Sequence, residues 1–133
     1  MCNWTRPCRA IMFICVLLAS CSETESKIGQ KTTIEVEQKF DAGEVIKGEI
    51  INAKFTIKNT GNYPLIISTV SPSCSCTVPS YPEDPIQPGD SGEIVAQVNT
   101  DKASGTINKT IMIVANTEQP IEPLVIHAIV LRN

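Results

Sequence analysis

Histidine is almost missing from this chain of 133 residues: His127 is the only one. A centre built on several imidazoles is therefore excluded. Positive charge is also scarce, with 11 Lys plus Arg against 14 Asp plus Glu and no basic stripe. That argues against a nucleic-acid partner, because a phosphate backbone is held by clustered cations. Aromatic residues make up 5% of the chain, and Trp4 is the one tryptophan. No apolar run approaches the ~20 residues that a membrane-spanning helix needs. From Ile34 onward no amphipathic helical period of useful length occurs, which excludes a helical domain. Motifs of catalysis are missing too: no serine elbow, no phosphate-cradling glycine loop and no paired-carboxylate motif. Glu83 and Asp84 are adjacent in a proline-rich stretch, where such pairs are solvated surface charge.

Six cysteines are present, but they do not form one framework. Arg6 and Arg9 begin a short cationic region, Ala10 to Ala19 is an apolar run, and Leu18-Ala19-Ser20-Cys21 has the form of a bacterial lipobox. Such a run is too short to span a bilayer and suits an export signal. The expected products are a cleaved leader over residues 1–20 and a lipid-carrying Cys21. Cys2, Cys8 and Cys15 leave with the leader, so only Cys74 and Cys76 keep free chemistry. Cleavage also removes Arg6 and Arg9, leaving nine cationic against 14 acidic side chains, a net −5. Several acyl chains on one cysteine hold a protein durably, since each buried methylene contributes about 0.8 kcal/mol.

Residues 21–33 read as a polar tether, rich in charge and without apolar period. Ser22-Glu23-Thr24-Glu25 resembles the acidic surface-export signals of some Bacteroidetes lipoproteins. Ser22 also stands where enterobacterial retention in the inner membrane uses aspartate. The expected place is the cell envelope, lipid-anchored to the outer membrane and facing periplasm or surface. Asn108-Lys109-Thr110 matches a glycosylation acceptor, a match that is accidental in a bacterium.

Residues 34–133 read as one all-β domain of about seven short strands separated by Gly, Pro and Asn. Thr33 to Asp41 forms the first expected strand, ended by Ala42-Gly43. Ala53, Phe55 and Ile57 alternate with Lys54, Thr56 and Lys58, giving one core face and one wet face. Asn59-Thr60-Gly61-Asn62 is a turn, with Gly61 able to take positive φ without a steric penalty. Leu65 to Val70 carries apolar residues on both parities, as in a strand covered in part on both faces. Cys74 to Pro79 reads as a short edge segment, because Pro72 and Pro79 cannot donate to a ladder. Ile94, Ala96 and Val98, then Ile107, Ile111, Ile113 and Ala115, then Leu124, Ile126, Ala128 and Val130 mark three further strands. The pattern fits an immunoglobulin-like sandwich.

The strings Phe40-Asp41-Ala42-Gly43, Phe55 to Gly61, Pro64 to Ile67, Cys74-Ser75-Cys76-Thr77 and Ile86-Gln87-Pro88-Gly89, in that order, resemble one bacterial family. The likeness runs on to Gly105 and Asn116 and covers roughly residues 35 to 130. The family is catalogued as a domain of unknown function, number fifteen-seventy-three, common among Bacteroidetes lipoproteins and similar to Hydin-type immunoglobulin-like modules. The resemblance implies an immunoglobulin-like fold and transfers no catalytic residue. The family usually has glycine between the two cysteines, where this chain has Ser75.

Cys74 and Cys76 are the sharpest chemical feature. Two residues apart in an extended strand, their Cα atoms would stand about 6.5 to 7 Å apart, so a disulfide needs a local bend. Outside the cytoplasm oxidation is the default for neighbouring thiols. Three readings follow: a structural disulfide or a buried pair of free thiols, a reducible redox pair, or a Cu(I) site with His127 adding a nitrogen. Met112 is the one methionine left after cleavage, and zinc would need four ligands. Beyond the lipid on Cys21, no cofactor is expected. The leading expectation is a non-catalytic, membrane-anchored module presenting loops or a sheet edge to a protein or glycan partner. The alternative is a thiol protein that binds Cu(I) or exchanges disulfides through Cys74 and Cys76.

Overall fold

A computed structural model describes residues 29–121 and 123–132. The expected leader, Cys21 and the expected tether as far as residue 28 lie outside the described residues. Among the described residues there are eight strands: β1 (Ile34–Val36), β2 (Lys39–Ile46), β3 (Ile50–Asn59), β4 (Ile67–Pro72), β5 (Thr77–Ser80), β6 (Ser91–Asn99), β7 (Gly105–Ala115) and β8 (Leu124–Leu131). They form two four-stranded sheets in the orders β1-β3-β6-β5 and β2-β8-β7-β4. Among the described residues there is no helix.

Alternation decides what is buried. In β3 the parity of Ala53, Phe55 and Ile57 faces inward, and in β6 that of Ile94, Ala96 and Val98. The other sheet answers with Ile111 and Ile113 of β7 and Leu124, Ile126 and Ala128 of β8, all in one core cluster. Their neighbours Met112 and Val114 are exposed. Phe40 of β2 meets Phe55 of β3 edge-on, centroids 6.2 Å apart, which ties the two sheets together near one margin. That geometry suits the quadrupoles of the rings.

Three expectations from the sequence are corrected. The run from Thr33 to Asp41 is two strands, because β1 pairs antiparallel with β3 while β2 pairs parallel with β8. Backbone pairing begins just ahead of β1, at the buried Thr32. Ala42-Gly43 does not end a strand. It forms a bulge in β2, between Asp41 opposite His127 and Glu44 opposite Ile129. Gly43 takes φ +66° there, and its N–H donates to Asp41 Oδ1 at 2.8 Å. Leu65 to Val70 is not covered on both faces. A register shift between Ile67 and Thr69 moves the inward parity, so Leu65, Ile67 and Val70 are buried while Ile66 is exposed.

Polar residues that continue a buried parity stitch the loops. Asn59 follows Ile57 inward and is fully buried. Its Oδ1 accepts from Thr32 Oγ1 at 2.7 Å and from the Gly61 N–H at 3.1 Å. Its Nδ2 donates to the carbonyls of Tyr63 at 2.8 Å and Ile86 at 2.9 Å. Gly61 is needed for space rather than for positive φ, since a Cβ there would collide with the Thr32 side chain and the Thr33 backbone. Asn116 makes a second such junction, donating to Gln30 O and Pro64 O and accepting from the Ile66 N–H. Thr100 continues the parity of Val98 and donates to Glu49 O at 2.6 Å.

Candidate functional site

The strings that carry the family resemblance fall into two groups. Asp41 and Gly43 shape the β2 bulge, Asn59, Gly61 and Asn116 satisfy buried backbone, and Gly89 turns at φ +87° with its N–H on Asn59 O. Each of these has a structural task. Cys74, Ser75 and Cys76 do not share in that stitching, and they sit where β4 leaves one sheet and β5 enters the other.

The cysteines are not in a strand. They occupy a tight turn closed by the Thr77 N–H donating to Cys74 O at 3.3 Å. The turn shortens the Cα–Cα distance to 5.3 Å, and Cys74 and Cys76 are joined as a disulfide. That separation lies inside the usual range for such bonds, so the turn supplies the bend that an extended strand lacks. Ser75 is exposed at the tip, and both cysteines are half-buried. On the far side the Asn99 N–H donates to Cys76 O at 2.9 Å, pinning the turn to the end of β6. The Thr77 hydroxyl, buried beneath the bridge, lies 3.6 Å from Cys74 Sγ and 4.0 Å from Cys76 Sγ. A bridge enclosing only three residues restrains the unfolded chain weakly, by about 1.6 kcal/mol on the loop-entropy relation, against about 3 for a fifteen-residue loop.

A groove of about 470 Å³ opens beside this turn, walled by Ile50, Cys76, Val78, Gln97, Asn99 and Lys102. Its apolar rims are Ile50 at 58% exposure and Val78 at 64%, the latter the most exposed large hydrophobic among the described residues. Cys76 borders the groove, and Cys74 does not line it.

His127 stands elsewhere. It points outward from β8, and its Nδ1 lies 3.2 Å from Asp41 Oδ1 on β2. Strand β7 separates β8 from β4, so the sheet order keeps His127 with Asp41 rather than with the cysteine turn. Among the described residues, no group of three or more His, Cys, Asp or Glu side chains is close enough to hold a metal ion. The Asp41 carboxyl is held below its ordinary value by the Gly43 N–H and by the bond to His127.

A second groove, of about 380 Å³, follows the free edge of β1 between Ile34 and Val36 on one side and Gln119, Pro120 and Ile121 on the other. The Thr60 N–H donates to Thr33 O, so Thr33 and then Glu35 face β3 in the antiparallel alternation. The N–H and C=O groups of Ile34 and Val36 consequently point outward. Thr32 continues this edge and is already paired, its N–H on Asn116 O and its C=O accepting from Glu118 N–H. Pairing with the 116–118 segment stops there, and the groove begins. The sequence carried no signal of it, because Thr32 and Thr117 meet only through the fold.

What these features define first is a class: an all-β domain of two packed sheets whose best-marked chemistry is one disulfide turn. The sequence profile of the family described as Protein of unknown function (DUF1573) matches residues 32–130, and the chain belongs to that family. No curated protein matches the chain. Among solved structures, a protein of unknown function from Porphyromonas gingivalis W83 is similar, with 23% identity and a TM-score of 0.66 over 75% of this chain and 47% of that one. The secreted serine protease VesC from Vibrio cholerae is similar at 14% identity and TM-score 0.58, over 77% of this chain and 24% of that one. The Vibrio cholerae VesB protease gives 12% identity and TM-score 0.58, over 73% and 31%. This chain thus spans about half the length of the Porphyromonas protein and less of the two proteases. At these identities the likeness concerns the fold.

Proposed function

We propose that this chain is a non-catalytic, lipid-anchored immunoglobulin-like module of the cell envelope that binds an extended segment of a partner protein along β1. The strand orders support the immunoglobulin-like reading. β1-β3-β6-β5 corresponds to the A-B-E-D sheet of that fold, and β8-β7-β4 to G-F-C, with β2 as the part of the first strand that crosses over. The lipobox ending at Cys21 supports the anchor. Ten residues lie between Cys21 and Thr32, eleven Cα–Cα steps with a reach of up to about 40 Å from the lipid surface.

The observation that carries the reading is the state of the sheet edges. Three of the four carry guards against strand addition. The β5 edge has Pro79, and the Thr77 N–H is already engaged by Cys74 O. The β4 edge ends at Pro72. The β2 edge is bulged, carries Lys39, Asp41 and Glu44, and has its Ile46 N–H taken by Glu49 Oε2 at 2.8 Å. At β1 the outward groups of Ile34 and Val36 have no partner among the described residues and open on a groove with apolar walls. A peptide strand laid there would gain main-chain hydrogen bonds from β1 and side-chain contacts from Pro120 and Ile121.

Capture of envelope proteins by the full chain and by Val36→Pro tests this. The Val36 N–H is not used within the sheet, so proline removes an outward donor and leaves the fold in place. A partner held by the natural chain and lost with Val36→Pro supports the reading. Capture that is indifferent to the substitution overturns it.

A further inference from the structure

The disulfide turn has an asymmetry that the binding role does not use. Cys76 lies in the wall of the groove between Ile50 and Val78, whereas Cys74 does not line it. Beneath the bridge, the buried Thr77 hydroxyl is nearer to Cys74 Sγ than to Cys76 Sγ, at 3.6 against 4.0 Å. In thiol–disulfide exchange the rate depends on which sulfur is accessible and on how well the departing sulfur carries negative charge. Both conditions select the same direction of attack. We infer that the Cys74–Cys76 bridge accepts electrons from a dithiol peptide or protein seated in this groove, with Cys76 the sulfur attacked and Cys74 the leaving thiolate.

The step balances as follows. A thiolate of the dithiol bonds to Cys76 Sγ while the Cys74–Cys76 bond breaks, and the electron pair departs on Cys74 Sγ. The Thr77 O–H donates to that thiolate, which then takes a proton from water. The second thiol of the partner, as its thiolate, attacks the partner's own sulfur in the mixed disulfide and releases Cys76 as a thiolate. The partner is oxidised by two electrons to a disulfide, and this chain is reduced by two electrons to a pair of thiols. The exchange is stoichiometric.

Two features suit the turn to this change. Its backbone is held from outside the sulfur bridge, by Thr77 N–H on Cys74 O and Asn99 N–H on Cys76 O, so the groove persists when the bond opens. Ile50 and Val78 give a small apolar rim for side chains flanking an incoming cysteine. The inference rests on this turn and groove alone and is independent of any strand bound at β1.

Reduced glutathione serves as the probe thiol. The oxidised full chain is exposed to it briefly, quenched with acid, alkylated with iodoacetamide and mapped by peptide fragmentation. We expect glutathione on Cys76 and the alkyl group on Cys74, with at least a fivefold excess over the reverse isomer. Thr77→Val should slow formation of the mixed disulfide several-fold and erode that preference. Equal labelling of the two cysteines, an excess on Cys74, or a bridge that reacts only after denaturation would each overturn the inference. The single variants Cys74→Ser and Cys76→Ser supply an independent reading with an aromatic disulfide reagent. The remaining Cys76 thiol should react faster than the remaining Cys74 thiol, and the opposite order counts against the assignment.

Discussion

The Thr32 hydroxyl donates to Asn59 Oδ1 at 2.7 Å, with both side chains buried. This bond joins the start of the domain to the end of β3 and closes one end of the sandwich. An unpartnered buried polar group costs about 1–3 kcal/mol, and Asn59→Ala would leave the Thr32 hydroxyl and the Tyr63 carbonyl without their partner and the Ile86 carbonyl with the Leu65 N–H alone. The expected loss is about 3–5 kcal/mol, a large share of a domain's stability, read as a fall in the urea midpoint with unchanged slope.

Gly61→Ala tests the close approach at the same end. The added methyl would meet the Thr32 side chain and the Thr33 backbone nitrogen, and backbone cannot step aside as a flexible side chain can. Overpacking of this kind costs about 1–3 kcal/mol. Gly89→Ala is the control, because nothing lies within 4 Å of a Cβ there and only the φ of +87° is strained. Thermal melts should show the larger drop for Gly61→Ala.

Asp41 gives the pH dependence a definite sign. The Gly43 N–H, and after it the bond from His127, hold its carboxyl below the ordinary 3.8. A group whose pKa is depressed on folding contributes stability above its unfolded value, and that contribution is lost as pH falls through the folded value. Stability should therefore decline as pH drops below about 3.8. Asp41→Asn should lack this part of the decline. An NMR titration of the Asp41 carboxyl carbon checks it directly, with a midpoint below 3.8.

Opening the Cys74–Cys76 bridge should leave the fold standing. The small ring implies a loss of about 1.6 kcal/mol, or roughly 6 to 13 °C in Tm for a domain of this size. Circular dichroism melts with and without reductant measure this, and a collapse of the β signal at room temperature would refute it.

Much of the fold could be read from alternation, and the misreadings have a common cause. The inward faces of β3, β6 and β8 were legible because each keeps one parity for its whole length, as in Ala53, Phe55 and Ile57. Where a bulge moves the parity, at Ala42-Gly43 and near Ser68, periodicity alone gives a false end or a false second face. A bulge is defined by the partner strand, here β8 and β7, which no local window contains. Asn59 and Thr100 were legible in principle. Each stands where the next apolar residue of its strand is due, and a polar residue there must bury its own hydrogen bonds. The cysteine pair was visible as chemistry, but its turn depends on the anchor at Asn99. The β1 groove was invisible, since its two walls come from opposite ends of the domain.

The open edge of β1 is the central claim, and amide hydrogen exchange at Ile34, Glu35 and Val36 tests it most directly. The Glu35 N–H faces β3 and should be protected, while those of Ile34 and Val36 should exchange rapidly in the free chain and become protected when a partner strand is bound. Protection of Ile34 and Val36 in the free chain, equal to that of Glu35, would mean that the edge is already covered and would contradict the account.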